Sequence, residues 1–444
     1  MKKRSNFLNS LLWTSGTIGG GVIYLLTAQL SFALTESFSV SAVYVGTVFL
    51  VSRIFDGITD FIAGNIIDRT NTRWGKARIY DLFMIVAWVF VILCFSVPEK
   101  LSETGKIVFV FVMYNMYTSV FATFAGCAET VRLKRSLDGD ARIHAVSFSG
   151  VVVSLISAVV SIVLPIMIAM YGSQPGGWTR IALIFAIPCS ILALIRFLFL
   201  PEQHVEEAAA KEEKIGAWSS VKMVLSNKYA LIIMVAAMVQ CLVSTTSSSM
   251  SVYYFTYVYG DTAAAAIPGF VSIIVLLAIG LMPKLVARWG NSRTVMYSLI
   301  LGIAASLLRY IMPRNLVWYT ICSALSGLGG LPLAYLLQIM LIDAMQFGKW
   351  KDGAAPEGVY SSVLNIAKKL GLGIGAGLMG LILQMGSLAG GGYTEASIKF
   401  LNNGFAAAGW LIAVLALIFY DLDKKMPQVN RELSERQQGN EQDQ

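Results

Sequence analysis

Charge is scarce in this chain. Charged residues make up 14% of its 444 residues, against 56% hydrophobic. A soluble domain carries about 25% charged residues. So little charge cannot cover a protein of this size in water, which excludes a soluble globular fold. Histidine is scarce too. The two present, His144 and His204, fall in loops without metal-ligand spacing. The patterns H-E-x-x-H, G-x-S-x-G and Walker A do not occur. Their absence argues against a metalloprotease, a serine hydrolase or an ATP-driven pump, and predicts no enzyme. The five cysteines (Cys94, Cys127, Cys189, Cys241 and Cys322) sit singly inside apolar runs. Odd in number and without ligand spacing, they read as small core hydrophobes.

Long apolar runs are abundant. A membrane-spanning helix needs roughly 20 apolar residues. Runs of that kind lie at 11–34, 41–66, 79–97, 106–128, 145–171 and 180–200, then at 229–259, 264–286, 294–312, 316–345, 358–386 and 396–420. Backbone polar groups in lipid must bond within their own segment, so these runs are helices. Membrane strands would be shorter and would alternate. The first run is too long for a signal peptide and lacks an A-x-A-like end, so it reads as a span. The expectation is an all-α polytopic membrane protein with twelve transmembrane helices.

Two hexapeptides match. Arg73-Trp74-Gly75-Lys76-Ala77-Arg78 and Arg288-Trp289-Gly290-Asn291-Ser292-Arg293 both read R-W-G-x-x-R, each in a short basic loop. Half a chain apart, they predict pseudo-symmetric six-helix halves, 1–200 and 229–421. Such repeats belong to secondary transporters. A charged linker, 201–228, joins the halves, and a polar Gln-rich tail, 422–444, reads as disordered. The net charge of +8 crowds into alternate loops. By the positive-inside rule it is a topology signal, placing both termini in the cytoplasm of a plasma (inner) membrane protein. It implies some attraction for anionic membrane lipid and no nucleic-acid partner.

Charges at membrane depth cost roughly 2.5–3.5 kcal/mol each on insertion scales. Arg53, Asp56 and Asp60 fall in the second run, on one helical face. Two carboxylates one turn apart suit a monovalent cation such as Na⁺, or share a proton. Arg53 can brace Asp56. A structural ion pair between helices is the competing reading. In the eleventh run Lys369 shares a face with Asn365, Ser362 and Gly373, which makes it, rather than Lys368, the interior lysine. The nearby Gly375-Ala376-Gly377-Leu378-Met379-Gly380 matches G-x-G-x-x-G but lacks the strand a dinucleotide site requires. Close helix packing explains it better. The seventh run carries hydroxyls from Ser244 to Ser249, then Tyr253, Tyr254 and Tyr257. With Gln29, Tyr114, Asn115, Tyr117, Gln240, Tyr335, Gln338 and Asn365, these are candidates for lining a solute cavity.

The stretch Arg53-Ile54-Phe55-Asp56-Gly57-Ile58-Thr59-Asp60, with Asp68-Arg69-Thr70 and the first R-W-G-K loop, resembles the glycoside–pentoside–hexuronide:cation symporters of the major facilitator superfamily. Asp343, Gly348, Lys351, Gly353, Glu357-Gly358-Val359-Tyr360-Ser361 and Lys369-Leu370-Gly371 agree. The resemblance implies the major facilitator fold and alternating access. It implies symport of a small-molecule solute with Na⁺ or H⁺, without a bound cofactor, by a monomer. Cation coordination falls to Asp56 and Asp60, and a central charge partner to Lys369. The loop residues Asp68, Arg73, Lys76, Arg288 and Arg293, with Asp343, would form a cytoplasmic gate. There are departures. By register the family's first-span sugar-binding aspartate falls near Gly20, its span-4 aspartate near Ala125, a tryptophan near Glu129 and an arginine near Gly150, so the sugar site is not kept in kind and the cation site lacks one carboxylate. Gln346 and Ala355 stand where an acidic and a basic residue are common. A glycoside is the leading solute. An amphipathic molecule or lysolipid, or a non-transporting sensor on the same fold, are the alternatives.

Overall fold

The computed structural model describes residues 6–137, 139–202, 217–311, 314–353, 357–387 and 393–442. Among them the chain is helical, and its only β contacts are isolated bridges, Thr72 to Gly75 and Ser387 to Tyr393. Among the described residues, ten helices are long and apolar enough to cross a membrane, from Phe7–Ser37 to Glu395–Ile418. The expected spans 79–97 and 264–286 are not among these ten. The first lies on the short helix Asp81–Cys94. The second is interrupted: 3₁₀ turns Thr262–Ala266 and Ala278–Leu281 flank Ile267–Leu277, and Met282–Trp289 follows. Pro268, Gly269, Gly280 and Pro283 lie along that run and weaken a continuous helix.

The described residues form two compact units that cut across the expected halves. The first combines Met1–Ala208 with Ser248–Ile273 and Ala376–Ile398. Its helices meet backbone to backbone. A Cβ on Gly46 would lie 2.8 Å from the Ala376 carbonyl oxygen, and one on Gly380 2.5 Å from that of Ala42. Polar side chains join the same zone. Ser41 Oγ donates to Gln384 Oε1 at 2.9 Å, and the Thr35 and Tyr253 hydroxyls lie 2.6 Å apart. Tyr257 donates to Glu36, and the Phe32 ring meets Tyr253 edge-on at 4.9 Å. Helices in lipid associate through such small-residue contacts and interhelical hydrogen bonds.

The second unit combines Ala209–Ser247, Ile274–Gly375 and Lys399–Gln444. Its core gathers Tyr229, Leu299, Leu333, Tyr360 and Trp410. Gly371 and Gly375 of helix Glu357–Met385 abut the backbone of Met238 and Leu242. The glycine-rich run is thus a packing stripe, as its setting predicted. The tail is a correction: it is a helix, Leu422–Gln442. Leu422, Met426 and Val429 recur at helical spacing and are buried, while Glu432 accepts from Trp350 Nε1 at 2.6 Å. Where the helix begins, Lys425 Nζ at 2.8 Å and the Tyr229 hydroxyl at 2.6 Å hold the Asp421 carboxyl well below the ordinary carboxylate range.

The R-W-G repeat has a structural cause. Gly75 has φ +118° and Gly290 φ +81°, a region that favours glycine. In the first copy the amides of Lys76 and Ala77 each donate to Glu202 at 2.8 Å. In the second, the Ser292 amide and hydroxyl each donate to Asp423 at 2.8 Å. A Cβ on Gly75 would sit 2.5 Å from the Glu202 carboxylate, and one on Gly290 2.9 Å from that of Asp423. In each copy, an acidic residue following a later apolar helix clamps the loop.

A charge cluster is buried nearby. Arg196 Nη2 donates to Asp81 at 2.6 Å and Nη1 to Glu129 at 2.8 Å. Arg132 Nε donates to Asp81 at 3.2 Å and its other nitrogens reach Ser136 and the Leu200 carbonyl. Gly16 leaves room for the Arg196 guanidinium, which stacks over Trp13 at 5.1 Å. Glu129 is therefore committed to Arg196.

Two predictions follow from this packing. Arg196→Leu takes the guanidinium from Glu129 and leaves Asp81 with Arg132 alone, and should cost about 3–5 kcal/mol. Arg196→Lys should recover only part, because an ammonium lacks the two-pronged fork. Thermal unfolding in detergent measures both. Gly46→Val should destabilise by about 1–3 kcal/mol through overpacking. Gly20→Ala, whose Cβ would meet nothing within 4 Å, should stay within about 0.5 kcal/mol of wild type. Equal midpoints for the two glycine variants would contradict the backbone contact.

Candidate functional site

Helix Ala42–Arg69 carries Arg53, Asp56 and Asp60 through an otherwise apolar stretch. Helix Glu103–Asn115 faces it and continues as a π-helical segment, Met116–Ala122. Such segments add a residue to a turn and recur at functional sites. Here the segment presents Tyr117, Thr118 and Ser119 among buried neighbours.

Asp56 is 2% exposed. Its Oδ2 accepts from Arg53 Nη1 at 2.8 Å and its Oδ1 from Ser119 Oγ at 2.5 Å. Arg53 Nη2 donates to the Tyr114 hydroxyl at 3.0 Å, and the guanidinium lies 6.0 Å from that ring's centroid. Asn115 Nδ2 donates to Ser52 Oγ at 2.9 Å. One side of Asp56 thus meets a guanidinium, and the other a hydroxyl beside an amide. The sequence placed Arg53 and Asp56 together correctly. Ser119 was missed: a serine among other polar residues of a span carries no signal of its own until its neighbour is known. Asp60, one turn further, is half-buried with the Cys127 thiol 4.0 Å from Oδ1.

Among the described residues no group of three or more His, Cys, Asp or Glu could hold a metal ion. A cation here would rest on Asp56 and Asp60 with hydroxyl and amide oxygens, which suit hard ions.

The cavity candidates divide. Tyr253 and Tyr257 bond Thr35 and Glu36, and both rings pack near Tyr393, at 5.9 and 5.8 Å. Tyr254 is buried against Phe255 and Tyr259. Tyr117 is buried 5.8 Å from the Tyr114 ring. Gln29 sits where the first helix breaks after Ala28. Its Nε2 donates to the Ser248 carbonyl at 3.2 Å, while Oε1 is buried without a partner among the described residues. In the second unit Gln240 Oε1 is likewise buried and unpartnered. Tyr335, Gln338 and Asn365 are exposed, and Lys368 and Lys369 half-buried.

The gate candidates are local. Arg73 stacks on Trp74 at 4.4 Å, and Arg288 lies 5.9 Å from the Trp289 ring centroid. Lys76 contributes its amide to the Glu202 clamp. Arg293 is exposed, and Asp343 accepts from Asn291 Nδ2 at 3.2 Å. Ala355 and the side chains of Asp68 and Ser362 lie outside the described residues.

Comparison with known proteins agrees with this architecture. The model of the MFS/sugar transport protein family matches residues 14–424. The isoprimeverose transporter of Lactiplantibacillus pentosus is 27% identical over 93% of this chain and 88% of its own length. The glucuronide carrier protein homolog of Escherichia coli (strain K12) is 26% identical over 94% and 92%. Among solved structures, a D-xylose-proton symporter superposes with a TM-score of 0.64 at 14% identity, covering 94% of this chain and 97% of that one. The nucleoside transporter NupG gives 0.59 at 15%, covering 93% and 100%. These likenesses show a shared fold. Matched across nearly its whole length, as the resemblance to glycoside–pentoside–hexuronide:cation symporters implied, this multi-pass membrane chain belongs to the MFS/sugar transport protein family, whose members are transporters and not enzymes.

Proposed function

We propose that this chain imports or exports a glycoside or related organic solute by alternating access, in symport with Na⁺ or H⁺. The observation that carries the reading is Asp56: a carboxylate 2% exposed, within an apolar helix, with Asp60 one turn away. Burying such charges is costly, and a purely structural role does not need two in tandem. A monovalent cation or proton at Asp56 and Asp60 neutralises them. Lys369, on helix Glu357–Met385, takes the central counter-charge that the family pattern implies. The basic R-W-G loops, with Asp68, Arg73, Lys76, Arg288, Arg293 and Asp343, act as the cytoplasmic gate. The chain spans the plasma (inner) membrane with both termini in the cytoplasm, and a single chain suffices. Relatives named for isoprimeverose and glucuronide support a sugar-derived solute.

A second reading is an amphipathic solute or lysolipid. Gly20 and Gly150 favour it: their positions border open space and offer no polar group.

The test is solute affinity in proteoliposomes at high and low Na⁺ and at two pH values. A screen of glycosides and lysolipids supplies the ligand. Coupling free energies of this kind run to about 1–3 kcal/mol, or 5–150-fold in affinity. Wild type should bind its solute at least 5-fold more tightly with the cation. Asp56→Asn should lose that dependence, and Lys369→Ala should impair uphill uptake. Wild-type affinity indifferent to both ions would leave a uniporter, and absence of counterflow as well would leave a sensor.

A further inference from the structure

We infer that Arg309 holds the phosphate group of a membrane phospholipid, in the second unit, where helix Asn291–Ile311 ends and helix Leu316–Asp352 begins. The site needs no transported solute or cation, so its test is separate from that of symport.

The charge on Arg309 is left without an opposite charge. Arg53, Arg132 and Arg196 each meet a carboxylate. Arg309 Nη1 instead donates to Ser323 Oγ at 3.0 Å and Nη2 to the Asn402 carbonyl at 2.8 Å. Its guanidinium lies over the Tyr319 ring, 5.3 Å from the centroid. All three partners are neutral, and Nε is buried without an acceptor among the described residues. An arginine keeps its charge at any physiological pH, so it cannot escape the cost by losing a proton.

The same network holds a second unmet donor. Asn402 Nδ2 donates to the Tyr319 hydroxyl at 3.1 Å and to Asn403 Oδ1 at 3.0 Å. Asn403 is 0% exposed, and its own Nδ2 has no acceptor among the described residues. Both asparagines stand on a π-helical segment, Phe400–Gly404, of the kind that recurs at functional sites. What the network lacks is therefore acceptors and negative charge together. A water supplies the first alone. A phosphate supplies both, and its oxygens match the planar guanidinium fork.

The surroundings select a lipid over a free anion. Arg309 lies in the last turn of one apolar helix and Tyr319 in the first turn of the next, which puts the network at headgroup depth. Arg309 is half-buried, so a headgroup reaches it from the side. Ile311, Val317, Trp318 and Ile321 flank it and are exposed, the first two at 76% and 67%. In a bilayer these face acyl chains, with Trp318 at the interface where its ring is favoured. A free anion gains nothing from that apolar flank. A phospholipid covers it and brings the phosphate to the arginine.

The experiment uses the purified, delipidated full chain in detergent. The probes are phosphatidylglycerol, diacylglycerol with the same acyl chains, and inorganic phosphate, read by thermal shift and native mass spectrometry. A ligand that binds only the folded chain raises its midpoint. Phosphatidylglycerol should raise it, and the other two should do little at equal concentration. Arg309→Gln should weaken phosphatidylglycerol binding at least tenfold, the scale of one charged hydrogen bond. Asn403→Asp places a carboxylate in the network at nearly unchanged volume. It should neutralise Arg309 from within and weaken the lipid by a similar factor. It keeps the arginine, and so still tests the site if Arg309→Gln does not fold. Arg314→Gln removes the same charge from the adjoining loop and should change affinity less than threefold. Wild-type affinity in Asn403→Asp, or an equal loss in Arg314→Gln, would overturn the site and leave general attraction to anionic lipid. Diacylglycerol binding as tightly as phosphatidylglycerol would leave only the apolar flank, and inorganic phosphate binding as tightly would leave a free anion in place of the lipid.

Discussion

Hydrocarbon offers no partner to a charge, and the structure is organised around that constraint. Among the described residues, Asp56, Asp81, Arg132 and Arg196, all buried in the first unit, each meet an opposite charge from another part of the chain or an adjacent turn. Two clusters satisfy the rule differently. Around Asp81, two arginines and two carboxylates close on themselves, with Arg132 1% and Arg196 5% exposed. Those pairs join residues of separate helices and tie them together. Around Asp56 the ion pair lies within one helix, Arg53 to Asp56, and the facing helix contributes a hydroxyl, Ser119, to the other carboxylate oxygen. An ion pair made across helices braces them, and one made within a turn adds no such tie.

The R-W-G copies show how a repeat in sequence records a constraint in space. Neither copy is conspicuous for catalysis, yet both glycines hold a positive φ and both face a carboxylate too close for a side chain. The residues that make glycine necessary, Glu202 and Asp423, stand far off in the sequence. The arginines and tryptophans beside them stack on one another within each loop. The motif therefore reads first as a folding device, a loop pinned by an acidic residue, and any gating role is built on a loop already held in shape.

Much of this was legible in the sequence. Continuous apolar runs and the absence of alternation gave an all-α membrane protein. Spacings of three and four placed Arg53 on the face of Asp56, and the glycines near Gly375 read as packing. Each of these depends on local periodicity, which a helix enforces. What stayed hidden depends on partners distant in sequence. Arg196 and Asp81 lie far apart in the chain, so no local spacing signals their shared bond. Ser119 needed the π-helical turn to be recognised, and such a turn leaves no mark in composition. The tail misled because its polar residues outweigh a narrow stripe, Leu422, Met426 and Val429, that suffices to dock a helix.

A polar residue at membrane depth need not serve a solute, for a physical reason. A hydroxyl or amide in hydrocarbon is stabilised by any partner, and a neighbouring helix serves as well as a ligand. Tyr253 and Tyr257 are spent on Thr35 and Glu36, and the Gln29 amide nitrogen on the Ser248 carbonyl. Those bonds hold helices together. Other atoms have capacity left. Gln29 Oε1 and Gln240 Oε1 are buried acceptors without a donor among the described residues, and Arg53 has donors beyond its two bonds. A buried acceptor left unmet costs free energy in the folded chain. A ligand hydroxyl that reaches it recovers that cost, so residual capacity, not polar character, is where specificity for a polyhydroxylated solute can arise.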